Sequence, residues 1–343
     1  MQQDFQQVIP IHMVITPEFN MLATMAFLDP FRAANYLEGR TLFRWQILSE
    51  SGGDVVASNG ASLSTKPLEA ADISGGGLVI LSASWRPETF ASPALLAYIR
   101  RAAKADLGIG AIDTGAFLMA QAGLLAGRRA TVHYEHLDTF IELYPDTVAE
   151  ETLYVLDGNR MSCAGGAASI DFALQILRGF CGDAVSQAAA GYIFAADVRA
   201  EGASQNSIGT ARLGQQLPDK LRAAVALMER NLEEPLSIAT LCAQIAFSQR
   251  QLDRLFQRHV GKSPSLYYRD VRLDRARGFV TQTRMPLSEV ALACGFASQV
   301  HFSRAYRQRF GLAPSKDRIE GRIPFEFRVW PMYRPNKVEN LAD

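Results

Sequence analysis

The chain has 343 residues, 48% of them hydrophobic, and its 35 Lys and Arg balance 35 Asp and Glu to a formal net charge of zero. That length exceeds one small domain, and the composition excludes a disordered or collagen-like chain. No apolar run reaches the ~20 residues that a membrane helix needs, and the opening MQQDFQQVIP lacks the basic flank and apolar stretch of a signal peptide, so a cytoplasmic protein is expected.

In chain order, residues 8–16 (VIPIHMVIT), 43–49 (FRWQILS), 78–82 (LVILS) and 107–112 (LGIGAI) are short, apolar and bounded by Gly, Pro or Asp, as buried strands are. Helices are predicted over 25–37, 93–104, 115–122, 136–144, 166–179 and 184–196. Strand–helix alternation implies an α/β domain whose parallel sheet is covered on both faces. The four cysteines (Cys163, Cys181, Cys242 and Cys294) have no CxxC or CxxH spacing. They read as reduced, buried thiols, with no disulfide framework and no zinc site. Residues 200–218 (AEGASQNSIGTARLGQQLP) are polar and without apolar periodicity, which reads as a linker. After Pro218 the pattern is wholly helical to about Asp317, and 321–343 is a tail without a period. The expected organisation is a domain over 1–199, a linker over 200–218, an all-α domain over 219–320 and a tail.

The zero net charge hides an asymmetry. Residues 220–320 hold 17 Lys and Arg against 9 Asp and Glu, whereas 1–219 hold 14 against 23. A basic module joined to an acidic remainder is the electrostatic footprint of a nucleic-acid-binding domain. Within the basic part, one design occurs twice: IATLCAQIAFSQRQLDRLFQRHVGKSP from Ile238 and LSEVALACGFASQVHFSRAYRQRFGLAP from Leu287. Ala246-Phe247 corresponds to Gly295-Phe296. After one extra residue, Ala297, Ser248, Leu252, Arg254, Phe256, Gly261 and Pro264 correspond to Ser298, Phe302, Arg304, Tyr306, Gly311 and Pro314.

Each copy reads as a short helix, a tight turn, a capping Ser and a second helix stopped by Gly. Leu252, Leu255, Phe256 and His259 share one face of the first such helix, and Phe302, Ala305, Tyr306 and Phe310 one face of the second. The residues expected at DNA are Ser248, Gln249, Arg250, Gln251 and Arg254 in the first copy, and Ser298, Gln299, His301 and Arg304 in the second. Arg and Gln side chains can form bidentate hydrogen bonds to base edges. Solvated faces of an ordinary bundle would look similar in one copy. Two copies in register inside a basic region point to double-stranded DNA.

Residues 220–318 resemble the DNA-binding domain of AraC-type regulators, most clearly in GFASQVHFSRAYRQRFGLAPS. The resemblance implies that a long helix over 265–283, with Arg269, Arg272, Arg275 and Arg277, links two helix-turn-helix units. It also implies that their recognition helices face one side of the DNA a helical turn apart. Cys242 stands where that family usually has Ala.

Upstream, the stretch GAIDTGAFLMAQAGLLAGRRATV from Gly110, followed by His133-Tyr134-Glu135, resembles the strand–elbow–helix of PfpI-type, glutamine amidotransferase-like domains of flavodoxin-like fold. Nearly the whole chain resembles the GlxA subfamily, which fuses such a domain to the double helix-turn-helix. Supporting positions are the run Phe27 to Asn35, Ser58-Asn59-Gly60 and the run Ala164 to Asp171. In enzymatic relatives the elbow carries a cysteine nucleophile, whereas here the matching position is Asp113, and no cysteine lies within 45 residues of it. A carboxylate cannot replace a thiolate in this acyl chemistry, so a PfpI-like hydrolase with a DNA-targeting appendage is disfavoured. A third reading is an architectural DNA-binding protein whose front domain only dimerises.

An elbow at the carboxyl edge of a parallel sheet is a place for a ligand. Asp113 with Thr114, Trp85, His133 and Tyr134 would suit a cationic amine through charge and cation–π attraction. The alternative for Asp113 is a cap of the helix after it, Trp85 could be a core aromatic, and Trp45 reads as core. Asp29 matches an acid that relatives place near the elbow, or caps a helix over 30–37. The Asp elbow followed by VHYEH looks like the members that sense glycine betaine, dimethylglycine or carnitine and activate catabolic genes. The resemblance thus implies a small-molecule effector, RNA polymerase and a second copy of the chain as partners, with no cofactor, no metal and no membrane.

Overall fold

A computed structural model describes residues 8–195, 198–205 and 218–320. In it the apolar runs pair into one eight-stranded sheet. Its strands are β1 (Ile9–Ile15), β2 (Phe43–Ser49), β3 (Ser51–Val56), β4 (Ser62–Pro67), β5 (Leu78–Ala83), β6 (Gly108–Asp113), β9 (Tyr154–Asp157) and β10 (Arg160–Cys163), in the order β3-β4-β2-β1-β5-β6-β10-β9. β7 (Arg129–Ala130) and β8 (Val148–Ala149) form a separate two-stranded pair. The centre is parallel, with β1 between β2 and β5 and β6 between β5 and β10. The outer pairs β3–β4 and β9–β10 are antiparallel.

Side chains alternate across the sheet, as a period of two requires. Ile11, Met13 and Ile15 enter one core with Phe27 and Phe31 of α1 (Met21–Leu37) and Phe172 and Leu177 of α5 (Ala168–Tyr192). Val14 enters the other, with Tyr98 of α2 (Pro93–Lys104), Phe117 of α3 (Gly115–Gln121) and Phe140 of α4 (Tyr134–Leu143). This is the expected α/β sheet covered on both faces.

Some expectations shift. α1 begins at Met21, four residues before the predicted start, because Asn20 caps it by accepting from the Ala23 N–H at 3.1 Å. The helices expected over 166–179 and 184–196 form one run interrupted at Gly182, where φ is 83°. The linker does not open at residue 200. Ser204 bridges to Thr152, the Leu153 N–H donates to the Ala203 carbonyl at 2.8 Å, and the Gln205 amide reaches the Val132 and Thr152 carbonyls at 2.8 and 2.9 Å. Gln205 satisfies buried carbonyls, a role that a Gly/Ser/Gln-rich composition does not advertise. The rest of the expected linker up to residue 217, and the expected tail over 321–343, lie outside the described residues.

The chain divides into two units, Met1–Gln216 and Leu217–Asp343. The second is helical: α6 (Asp219–Arg230), α7 (Ile238–Gln244), α8 (Gln249–Val260), α9 (Pro264–Gln282), α10 (Leu287–Ala293), α11 (Gln299–Phe310) and α12 (Pro314–Glu320). Ser248 and Ser298 cap α8 and α11 through the Gln251 and His301 N–H groups, and Gly261 and Gly311 end them. Leu252 and Phe256 are buried in the first copy, and Phe302 and Tyr306 in the second, so the predicted apolar stripes face inward. No helix among the described residues is long and apolar enough to cross a membrane.

Candidate functional site

On α8, Gln249, Arg250, Gln251 and Arg254 are all exposed, as are Gln299, His301 and Arg304 on α11. Ser248 and Gln251 are partly occupied by a reciprocal cap. The Gln251 N–H donates to the Ser248 hydroxyl oxygen at 3.3 Å, and the Gln251 side-chain oxygen accepts from the Ser248 hydroxyl at 2.7 Å. Ser298 likewise accepts from the His301 N–H at 3.3 Å. The outward face of α8 is therefore Gln249, Arg250, Asp253 and Arg254. On α11 the aliphatic side chain of Val300 is also exposed, between Gln299 and His301 in the sequence.

The arginines of α9 hold the second copy together. Arg272 donates to the Gly295 carbonyl at 2.8 Å and lies over the Phe296 ring at 4.8 Å. Arg275 donates to the Ala293 carbonyl at 3.3 Å, and Arg277 pairs with Asp317 at 3.0 Å. The orphan carbonyls at the end of α10 are thus satisfied from the linking helix, which fixes where α11 begins.

In the first unit, β6 ends at Asp113 with φ of 61°, a left-handed conformation that is rare outside glycine. Glu18 (φ 63°) and Arg86 (φ 54°) lie just beyond β1 and β5, so three neighbouring strands each meet a left-handed side-chain-bearing residue at one sheet edge. Strain gathered in one place is a mark of a functional edge. Gly165 closes the elbow from the β10 side. A Cβ there would lie 2.9 Å from the Asp113 Cβ and 3.2 Å from its Cα, so no other residue fits.

Asp113 is buried, with 4% exposure. Burial pushes its carboxyl above the ordinary carboxylate range, opposed by the nearby charge of His133 and by hydrogen bonds from Asn20 and Ser84. The Asn20 amide donates to it at 3.0 Å. Thr114 is fully buried and gives its hydroxyl to the Ser84 carbonyl at 2.5 Å, which braces the elbow. His133 caps α4, half-buried, with its ring 4.3 Å from that of Tyr134. Trp85 is half-buried on the loop beyond β5.

Asp29 is not brought to the elbow. It sits inside α1, nine residues or roughly 13 Å of helix beyond Asn20, and pairs with Arg32 at 2.6 Å. There it lines a groove of about 470 Å³ with Leu22, Met25 and Trp45. Neither the predicted elbow role nor the predicted helix cap holds for it, because α1 starts earlier than its sequence pattern indicates. The groups that do reach the elbow, Asn20, Ser84 and Gly165, were missed for want of a local signal, as was the Glu18–Arg86 pair at the same sheet edge.

The thiol nearest the elbow is Cys163, opposite Ile112 on the adjacent strand. It is fully buried, accepts from the Gly165 N–H at 3.4 Å, and burial pushes its thiol up to about 12. A thiol held protonated is no nucleophile at neutral pH. A carboxylate elbow beside an inert thiol is not an acyl-transfer site.

Residues 19–179 match the DJ-1/PfpI family, and residues 241–319 match a helix-turn-helix domain family. The chain is 36% identical to the HTH-type transcriptional regulator CdhR of Pseudomonas aeruginosa, over 93% of this chain and 92% of that one. It is 36% identical to the regulator GbdR of the same organism, over 90% and 83%, and 32% identical to the regulator GlxA of Rhizobium meliloti, over 91% and 96%. The chain belongs to the GlxA-like AraC family of transcriptional regulators. Like those relatives it is a DNA-binding transcription regulator rather than an enzyme.

Proposed function

We propose that the protein is a cytoplasmic, effector-controlled transcription activator whose elbow at Asp113 binds a cationic small molecule of the quaternary-amine or amino-acid-like class, with glycine betaine, dimethylglycine or carnitine as candidates. The observation that carries this is a buried carboxylate in a left-handed elbow, ringed by Asn20, Ser84 and His133, with its ionised form penalised by burial. A bound cation compensates a carboxylate whose charge is otherwise disfavoured by burial. Tyr134 and Trp85 add aromatic faces for cation–π attraction. On the DNA side, Gln249, Arg250 and Arg254 of α8 and Gln299, His301 and Arg304 of α11 read base edges, and Ser248, Gln251 and Ser298 set the helix starts. Val300 adds an apolar contact of the kind that suits a thymine methyl. The protein acts as a homodimer and recruits RNA polymerase.

Asp113→Asn tests the ligand half of this reading. The variant should fold, bind operator DNA, and bind a quaternary amine more than tenfold more weakly, as loss of a partly desolvated charge contact costs about 2–5 kcal/mol. In the wild type, lowering the pH through the raised Asp113 pKa protonates the carboxyl and weakens amine binding, while the variant stays flat with pH. Without ligand the variant should melt higher than wild type at neutral pH, because the buried ionised form destabilises the native state. That gap closes as the pH falls toward the ordinary Asp value of 3.8. Isothermal titration across pH reads the binding effect and melting scans across pH the stability effect; unchanged amine affinity in Asp113→Asn removes the carboxylate from the ligand site.

A further inference from the structure

Residues 198–205 follow α5 and are fastened to the first unit at both ends. At the near end the Arg199 N–H donates to the Asp171 carboxylate at 2.8 Å, and the guanidinium meets the other carboxylate oxygen at 2.6 and 3.0 Å. The Tyr154 hydroxyl donates to the Arg199 carbonyl at 3.0 Å. At the far end Gln205 is 9% exposed, and its side-chain amide donates to the Val132 and Thr152 carbonyls at 2.8 and 2.9 Å and to the Thr131 hydroxyl at 2.9 Å. Thr131 gives its own proton to the Thr152 carbonyl at 2.8 Å. Gln205 is the last described residue before Pro218, and the second unit begins at Leu217. It is thus the last described point at which the chain is fastened to the sheet domain ahead of the DNA-binding unit.

The segment that Gln205 grips leads to the elbow by two routes. The Val132 carbonyl and the His133 N–H belong to one planar peptide unit, so a turn of that plane moves the carbonyl together with the start of α4. His133 caps α4 and is close enough to Asp113 for its charge to favour the ionised carboxyl. On the other route the Thr131 N–H donates to the Ser162 hydroxyl at 2.8 Å, and three residues beyond Ser162 is Gly165, which closes the elbow against Asp113. Thr131 and Val132 are both fully buried. A buried carbonyl that loses its donor is not compensated by water, so this contact is made or lost as a whole.

We infer that Gln205 is a positioning residue that couples effector binding at the elbow to DNA binding by the second unit, an inference that rests on the reading of Asp113 as the effector's anchor. An effector seated against Asp113 shifts the balance between two settings of the His133 peptide by as much as it contacts them differently. Gln205 carries that change to the point where the chain leaves for the second unit. The near end of the segment is held separately by Asp171 and Tyr154, and the backbone of 203–205 keeps its own bonds to Leu153 and Glu151. Loss of the side-chain grip therefore weakens the exit of the chain without detaching the segment. A glutamine serving stability alone could stand anywhere along 198–205. This one stands at the exit, on the peptide that precedes His133.

The test uses the full chain, a DNA duplex selected from a random pool by the wild type, and glycine betaine, dimethylglycine and carnitine as probes. Coupling between two sites is reciprocal, so isothermal titration of each probe with and without the duplex reads it directly. In the wild type the duplex should change the affinity for at least one probe by about fivefold or more. Gln205→Met keeps the bulk of the side chain and removes its donors. It should bind probe and duplex separately as the wild type does, with the change cut to less than about twofold. Thr131→Val removes the hydroxyl that Gln205 meets and should act alike, so it serves if Gln205→Met fails to fold. Arg199→Gln loosens the other end of the segment and should keep the full change. No effect of the duplex in the wild type, an effect that survives Gln205→Met, or an equal loss in Arg199→Gln overturns the inference. If Asp113→Asn weakens probe binding while Gln205→Met keeps the coupling, the elbow reading stands and only the role of Gln205 fails. Unchanged probe affinity in Asp113→Asn removes the elbow anchor, whatever Gln205→Met does. Absence of binding by all three probes overturns both.

Discussion

In the first helix-turn-helix copy the turn before α8 passes through exposed Ala246 at φ 48°, while in the second the matching turn passes through Gly295 at φ 68°. The first turn tolerates a methyl group. The second does not, because a Cβ on Gly295 would lie 2.6 Å from the Pro235 Cδ and 2.7 and 2.9 Å from the carbonyl oxygens of Leu232 and Glu233. A similar contrast appears where each reading helix packs on the helix after it. The Phe256 and Tyr267 rings pack at a tilt, 5.4 Å between centroids, in the first copy, whereas at the corresponding positions the Tyr306 hydroxyl donates to Asp317 at 2.6 Å in the second. Arg309 adds paired hydrogen bonds to Asp274 at 2.6 and 2.7 Å. One sequence pattern therefore supports two different ways of holding a reading helix, one by apolar packing and one by buried polar locks. A pattern of apolar and polar positions specifies where a helix packs, and the identity of the lock is left to the neighbours.

Substitutions at paired positions sharpen this contrast. The largest effect is expected from Gly295→Ala. Left-handed backbone costs a non-glycine residue about 1–2 kcal/mol, and overlap with two backbone carbonyls that cannot rotate away raises the total to about 3 kcal/mol or more. Urea unfolding followed by circular dichroism reads it, and a loss under 1 kcal/mol would mean that the segment at 232–235 yields easily. Asp317→Ala should cost about 3 kcal/mol, since it leaves Arg277 and the Tyr306 hydroxyl without their buried acceptor. If Tyr306→Phe proves as neutral as a surface change, the polar lock is incidental.

Next come the DNA contacts. Arg254→Ala and Arg304→Ala should each weaken operator binding by about 1–3 kcal/mol, and comparison with random DNA across salt separates base from phosphate contacts. Wild-type binding by both variants would break the two-reader reading altogether. A loss confined to Arg304→Ala would show that the more firmly held copy does the reading. The smallest effect, and of opposite sign to Gly295→Ala, is expected from Ala246→Gly, a gain of about 0.5–1 kcal/mol as the left-handed strain is relieved against the extra backbone entropy of glycine. A melting scan showing destabilisation there would mean that the Ala246 methyl group packs usefully after all.

Much of the helical unit was legible because its signals are local. Ser at a helix start, Gly at its end and an apolar stripe every three to four residues are short-range features, and all of them recur twice. The sheet was legible only at its centre. β1, β2, β5 and β6 are buried apolar runs, whereas β3 and β4 (SGGDVV and SLSTKP) lie at an outer position with mostly exposed side chains and no clean alternation. β9 and β10 are four residues each, too short for a period to show. At the elbow, Asp113 was legible by its motif. Asn20 was not, since it reaches Asp113 across a sequence separation of 93. Asp29 was misplaced for the converse reason: a plausible local motif carried no information on where along α1 it would fall.

The sequence by itself determined the class of the protein. Its strand–helix alternation and its duplicated capped helices are written in residue order, because helix, strand and cap formation depend on neighbours a few residues apart. Only the tertiary structure decided which charges share the sheet edge, that Arg86 and Glu18 pair there, that Cys163 lies inert on the strand beside Asp113, and that the arginines of α9 clamp the second copy and hold its α11 in place. Those facts depend on strand order and helix crossing, which bring residues tens of positions apart to within hydrogen-bonding distance and leave no periodic trace along the chain.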